Sequence, residues 1–251
     1  MHHPLTLPVI ASACLLSNFL CQDPPKPAPE PAAVKSVVTG TIRLAQADRA
    51  AVKQLEIGAE AAKGCGEVDK RDPNLQFDEK GGLAHAVVVV NLKGLEVKPL
   101  EKPFQVDQRS CRFEPYVTVV PTGSTVEFLN SDKVNHNVSL SATRNEAMNP
   151  TLTPGTSKAA KFEKAERMQV TCSTHTWMRS WVVVTDSNFY AVSGPDGSFR
   201  IEGLPPGEHK LEVWYPEAKK LEATVKIDAE GRAAPVELEV ALAGKGRGRG
   251  K

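Results

Sequence analysis

Several things are scarce or missing in this sequence, and each absence narrows what the chain can do. Charge has no dominant sign: 31 Lys and Arg face 30 Asp and Glu, a formal net charge of +1 at pH 7. That balance gives no overall reason to expect nucleic acid or an acidic partner. Beyond residue 21 no stretch approaches the roughly 20 apolar residues of a membrane-spanning helix. No nucleophile–base motif, phosphate-cradling glycine loop or dinucleotide fingerprint occurs, so nothing in the pattern asks for an enzyme. Acid pairs such as Asp78-Glu79 read as solvated turns. The five cysteines show no C-x-x-C pairing and the histidines no H-x-H, which argues against a structural zinc site. There is no internal repeat.

What is present suits a folded protein of one large or two small domains: 251 residues, 41% hydrophobic and 24% charged. Residues 5–20 are apolar with small residues interspersed, and residues 22–35 turn polar and proline-rich. The pair reads as a signal peptide over residues 1–21 and a linker over 22–35. His2 and His3 stand where Lys or Arg is usual, and Cys14 follows Ile-Ala-Ser-Ala in the manner of a lipoprotein box. The expected location is therefore outside the cytoplasm, periplasmic or extracellular, with membrane tethering left open. At the other end, residues 243–251 form a basic, glycine-rich tail that cannot bury apolar area.

Between these ends the chain reads as all-β. Residues 37–44 (VVTGTIRL) are strand-like, and residues 83–92 (LAHAVVVVNL) form a continuous apolar run, as expected of a strand buried on both faces. Further short strands fall at 116–120, 125–129, 168–172, 181–185, 199–201, 209–215, 223–227 and 236–242, separated by Gly, Pro, Asn and Asp clusters. This spacing argues for a sandwich or barrel. Residues 45–63 have helix-like composition but no convincing cap, and they contain Gly58. His85 reads as a core or edge-strand residue.

A composition seam falls near residues 185–190. After it come Gly194-Pro-Asp-Gly197-Ser-Phe-Arg-Ile201 and Gly203-Leu-Pro-Pro-Gly207-Glu-His209. Pro presets one dihedral of a turn and Gly accepts positive φ. The phrase resembles the carboxypeptidase regulatory-like (transthyretin-like) β-sandwich over residues 188–242, a module that usually supports or presents other domains. His209, just past that turn, reads as a surface strand residue. Residues 36–104 form an N-terminal β region. One arrangement pairs its strands near Val37 and Val87 with the C-terminal module, with the intervening domain inserted between them.

The sharpest chemical signal is Cys172-Ser-Thr-His175-Thr-Trp177-Met178, directly after the strand Met-Gln-Val-Thr. A thiolate, an imidazole and a thioether on one short loop suit copper in both oxidation states, whereas Mg and Ca want oxygen donors. Taken singly, Cys172 reads equally well as an inert buried thiol, and Met178 or Trp177 as core. The order of motifs changes the balance. Phe113-Glu-Pro115, Gly123-Ser-Thr-Val126, Asn130, His136-Asn137-Val138 and the Cys172/His175/Met178 loop follow one another over residues 105–187. In that order and spacing they resemble the cupredoxins, most closely the amicyanin, pseudoazurin and plastocyanin group.

The resemblance implies a Greek-key sandwich with one copper ion at its end, held by His136, Cys172 and His175 with Met178 as long axial ligand. It implies that Asn137 ties the His136 strand to the ligand loop. It also implies that the His175 edge, with Trp177 beside it, reaches an apolar surface and passes single electrons to a redox partner protein. Two departures are visible: Thr176 stands where proline commonly follows the loop histidine, and Asn135 where proline precedes the first. Changes of that kind loosen the loop or shift the potential without removing a ligand. Four filled positions would leave none for a substrate, so the expectation is a carrier, not an oxidase.

If Cys172 holds copper and Cys14 and Cys21 leave with the signal, Cys65 and Cys111 remain as a pair that an exported chain would oxidise. The alternative keeps Cys111 near the metal as an extra soft ligand. Two other functions stay open: a non-redox envelope or scaffold protein with this fold, and copper storage or delivery. Oligomeric state is not legible.

Overall fold

The computed structural model describes residues 36–51, 54–216 and 218–243. The expected signal peptide, proline-rich linker and basic tail beyond residue 243 lie outside them. No described helix is long and apolar enough to cross a membrane. The described residues are nearly all strand and turn, and they fall in two sandwiches packed back to back.

One sandwich is built from both ends of the described chain. Its first sheet places β1 (Val37–Leu44) between β14 (Ser198–Glu202), antiparallel, and β17 (Val236–Val240), parallel. Its second runs β13 (Phe189–Val192), β2 (Val87–Val90), β15 (Gly207–Trp214), β16 (Leu221–Ile227). The alternation of β1 is regular, with every second residue buried, and Val38, Ile42 and Leu44 meet Phe199, Ile201, Leu211 and Val240 in its core. Period-2 burial of this kind sets strand register, because a one-residue slip would turn the apolar set to water.

The other sandwich is inserted between β2 and β13. One sheet has the order β10 (Ser157–Phe162), β6 (Ser124–Asn130), β3 (Phe104–Arg109), β4 (Arg112–Glu114). The facing sheet runs β5 (Val117–Pro121), β12 (Arg179–Thr185), β11 (Glu166–Thr171), β8 (Ser139–Ser141). A short pair, β7 (His136–Asn137) with β9 (Thr151–Leu152), sits beside them. Val106, Val126, Phe128, Leu140, Phe162, Met168, Val170 and Val182 fill the space between the sheets.

The continuous apolar run at β2 now has a reason. Val88 and Val90 point into the first core, while Val87 and Val89 pack with Tyr116, Val117, Val119 and Val183 in a third cluster between the sandwiches. β5 and β12 divide in the same way: Val120, Val182 and Val184 face their own core, and Val117, Val119 and Val183 face outward to β2. A strand with apolar partners on both faces needs apolar residues at every position.

Residues 45–63 do not form an α-helix. A 3-10 turn covers Gln46–Ala51, and from residue 54 to 77 the chain runs as an irregular strap. Cys65 bonds to Cys111 with Cα atoms 5.3 Å apart, and Leu55, Ile57 and Val68 lean on the core of the inserted sandwich. Asn74 is held by both sandwiches: its side-chain oxygen accepts from the Tyr116 hydroxyl at 2.6 Å and its carbonyl from the Tyr215 hydroxyl at 2.6 Å. His209 corrects its surface assignment: it is buried, and its Nε2 bonds the Pro205 carbonyl at 2.7 Å. His85 lies ahead of β2, not in it, at positive φ (69°).

Candidate metal centre

Two loops meet at one end of the inserted sandwich. β6 ends in Asn130, which is fully buried and shapes the loop after it. Its Nδ2 donates to the carbonyls of Val134 (2.9 Å) and Leu152 (2.8 Å), and its Oδ1 accepts the Asp132 N–H at 3.0 Å. That loop delivers Asp132 and then His136 at the start of β7. From the facing sheet, β11 ends at Thr171 and hands over to the loop of Cys172, His175 and Met178. The loop closes on itself: Met178 N–H donates to the His175 carbonyl at 2.8 Å, and Cys172 N–H to the Met178 carbonyl at 3.3 Å.

The side chains of His136, Cys172 and His175 converge although 36 residues separate the first two. The two Nδ1 atoms face each other at 3.0 Å, and the Cys172 sulfur lies 3.9 Å from the first and 3.8 Å from the second. The point equidistant from the corners of that triangle is about 2.1 Å from each, against metal–nitrogen distances of about 2.0–2.1 Å and metal–sulfur of about 2.3 Å. Two imidazoles and one thiolate at this spacing would hold a single ion, and the donor set is one that suits copper. Met178 is fully buried in the same apolar cluster as Cys172 and Trp177.

The outer contacts explain why the donor atoms point inward. His136 Nε2–H donates to Asp132 Oδ2 at 2.8 Å, which keeps the proton on Nε2 and leaves the Nδ1 lone pair for a metal. Asp132 in turn accepts the backbone N–H groups of Ser110 (2.6 Å) and Cys111 (2.8 Å) at the turn between β3 and β4. Asn137 Oδ1 accepts the Ser173 N–H at 2.7 Å and lies 3.3 Å from the Cys172 sulfur, while its Nδ2 donates to Asn149 and Ser173. It thus links β7 to the ligand loop.

Charge inside the pocket is arranged as a pair. Burial works against the His136 imidazolium, yet hydrogen bonds to Cys172 and Asp132 outweigh it and hold His136 above its ordinary value. Burial likewise opposes a Cys172 thiolate. The His136 hydrogen bond and the backbone N–H groups around it outweigh that and hold the thiol below its ordinary value. His175 is pushed down by burial and by the neighbouring His136, so it stays neutral and available as a donor. A lowered thiol beside a neutral imidazole is what a soft cation needs.

One expectation is corrected. The sequence reading sets the His175 edge and Trp177 at an exposed apolar surface for electron transfer, but His175 is only 4% and Trp177 9% exposed. The strap provides the cover: a Cys65 sulfur lies within 4.8 Å of a His175 ring nitrogen, and the Trp177 indole N–H donates to the Cys111 carbonyl at 3.0 Å. Asp132 is the residue that sequence reasoning missed. In Asn130-Ser-Asp-Lys it looks like any polar turn, and only its spacing, four residues before His136, hinted at a partner.

Residues 101–185, about a third of the chain, match the family of copper binding proteins described as the plastocyanin/azurin family. The match supports a cupredoxin-type domain with copper as its cofactor. Among solved structures, the chain is similar to the copper-containing nitrite reductase (NirK) from Thermus scotoductus SA-01. There the identity is 26%, the coverage 39% of this chain and 25% of that one, and the TM-score 0.33. A purple cupredoxin from Nitrosopumilus maritimus is 24% identical over 33% of this chain and 99% of its own, with a TM-score of 0.29. A reduced mutant amicyanin is 22% identical over 39% and 98%, with a TM-score of 0.32. The chain spans about a quarter of the nitrite reductase's length. No curated protein matches it.

Proposed function

We propose that the inserted sandwich would hold one copper ion between His136, Cys172 and His175, with the Met178 thioether as a weaker fourth donor, and carry single electrons for a redox partner outside the cytoplasm. The observation that carries this reading is the donor triangle, whose size would suit one ion. Copper supplies the electron by alternating between its two oxidation states; the chain's contribution is to keep the donors still while it does so. His136 is held by Asp132, Cys172 by Asn137 and the closed loop, and both sandwich sheets fix the ends from which these residues come. The second sandwich serves as a carboxypeptidase regulatory-like support, and no step here needs a substrate. Adding Cu(II) to the reduced apoprotein is expected to give an intense visible thiolate-to-copper band that Cys172→Ala abolishes. A colourless mixture sinks the proposal and favours a scaffold role.

The burial of His175 favours one second reading, copper storage or delivery, because a covered ligand edge slows exchange with a partner. Release of bound Cu(I) to a chelator separates the two readings: slow release fits a carrier, and rapid release triggered by a partner fits delivery.

A further inference from the structure

The Cys65–Cys111 disulfide occupies a place that fastening a strap does not require. Both of its sulfurs and a ring nitrogen of His175 lie within 4.8 Å of one another. The Cys111 sulfur also lies within that distance of a His136 nitrogen and an Asp132 oxygen, so this cysteine backs directly onto the first donor set. Cys65, Cys111 and His175 are all buried, with Trp177 against them, and no carboxylate belongs to their triad. Two sulfurs and one imidazole in an apolar setting form a soft donor set. Gly64 and Gly66, on either side of Cys65, are exposed, so the buried disulfide lies directly beneath a solvent-facing stretch of the strap.

While the disulfide is intact its sulfurs are poor donors, and His136, Cys172 and His175 form the only complete set of the two. We propose that reduction of Cys65–Cys111 opens a second, Cu(I)-binding site made by those two thiolates and His175. The chemistry balances with a dithiol as reductant. The dithiol gives two electrons and two protons to the disulfide, becoming a disulfide itself and leaving two thiols on this chain. Cu(I) then displaces both thiol protons and takes the imidazole as a third donor, with no change in its oxidation state. His175 is the corner shared by both donor sets, so occupation of one draws a ligand from the other. Thiol status thereby chooses between a site suited to redox cycling and one suited to holding Cu(I). The triad contains no Cys172, so this inference goes beyond the electron-carrier reading and does not depend on it.

The test uses the full chain with Cys172→Ala, which removes the thiolate of the first site and leaves the second intact. Cu(I) affinity is measured anaerobically by competition with a chromophoric Cu(I) chelator, with the disulfide closed and after reduction by a phosphine. Reduction is expected to tighten Cu(I) binding by at least about a hundredfold, since two soft donors are gained. Adding Cys65→Ser and Cys111→Ser should erase that gain. Affinities equal within threefold before and after reduction overturn the proposal. X-ray absorption on the wild-type chain loaded with one Cu(I) gives an independent reading should Cys172→Ala fail to fold. Two short copper–thiolate contacts are expected after reduction, against the single one from Cys172 before it, the weak Met178 thioether being counted in neither; one short thiolate contact in both states also overturns it. The wild-type visible band with Cu(II) reports the first site separately, so the two proposals fail by different observations.

Discussion

Replacing Asp132 by alanine tests how the pocket is held. The carboxylate is 10% exposed and receives three N–H groups: His136 Nε2–H, whose side chain is fully buried, and the amides of Cys111 and Ser110. In Asp132→Ala, water reaches the Ser110 amide, which lies at an exposed turn, but the other two donors lose their acceptor away from solvent. An orphaned buried donor costs about 1–3 kcal/mol, so the loss for two is roughly 2–6 kcal/mol. For a fold of this size that lowers Tm by roughly 4–24 °C, at about 2–4 °C per kcal/mol. The metal should feel a second effect. Without the carboxylate nothing keeps the proton on Nε2, and copper affinity is expected to fall by about 10–100-fold, as when other partners of ligating histidines are removed. Urea denaturation of the apoprotein and Cu(I) competition measure the two effects separately. Asp132→Asn retains the shape and one acceptor and should recover part of each. An alanine variant that loses stability but binds copper as the wild type does would reduce Asp132 to a brace. One that loses neither would refute the reasoning.

Two further outcomes follow from the scaffold. Gly197 has φ of 79° in the Pro-Asp-Gly turn, and a Cβ there would strike the backbone carbonyl of Ile42, so Gly197→Ala is expected to cost about 2 kcal/mol or more by thermal denaturation; an unchanged Tm would mean the turn yields easily. Glu166 closes the loop of residues 143–145: burial opposes its charged form, but bonds from the Thr143 N–H and hydroxyl and from Asn145 outweigh that and hold its carboxyl at about 2. Because the folded value is depressed, its stabilisation is fully present above the ordinary value of 4.5 and is lost as pH falls towards 2. Glu166→Gln should therefore be less stable than wild type at pH 7, with a gap that closes between pH 4.5 and 2; a gap that persists at pH 2 contradicts the linkage.

Much of this architecture is visible in the residue pattern, and what is hidden has identifiable causes. The alternating burial of β1 and β6 follows their apolar positions, and the ligand loop is legible because three donors sit within seven consecutive residues. β10 (SKAAKF) and β3 (FQVDQR) carry no such alternation: β10 is a mostly exposed edge strand, and β3 has polar partners inside. The strap has no periodicity because it forms only isolated bridges, Gln54 with Arg71 and Phe77 with Leu83, and is otherwise held by one covalent bond and scattered side-chain contacts. Burial of His175 is invisible for the same reason. Its cover comes from a segment about a hundred residues upstream whose place is fixed only in three dimensions.

The two faces of the inserted sandwich accordingly carry different duties. Its outer strands β5 and β12 meet β2 through Val117, Val119 and Val183, and none of His136, Cys172, His175 or Met178 takes part in that cluster. Perturbing it should change how firmly the sandwiches hold together and leave the donor triangle as it is. The strap end is the reverse. Cys65 is bonded to Cys111, the Cys111 amide to Asp132, and Asp132 to His136 Nε2, so a path of one covalent and two hydrogen bonds runs from the strap to the imidazole that carries a donor atom. Movement of the strap reaches the pocket through that path, whereas movement at the valine interface has no comparable connection. The disulfide and the donor triangle therefore lie at the same end of the inserted sandwich, and the valine contact with the second sandwich lies on a separate face.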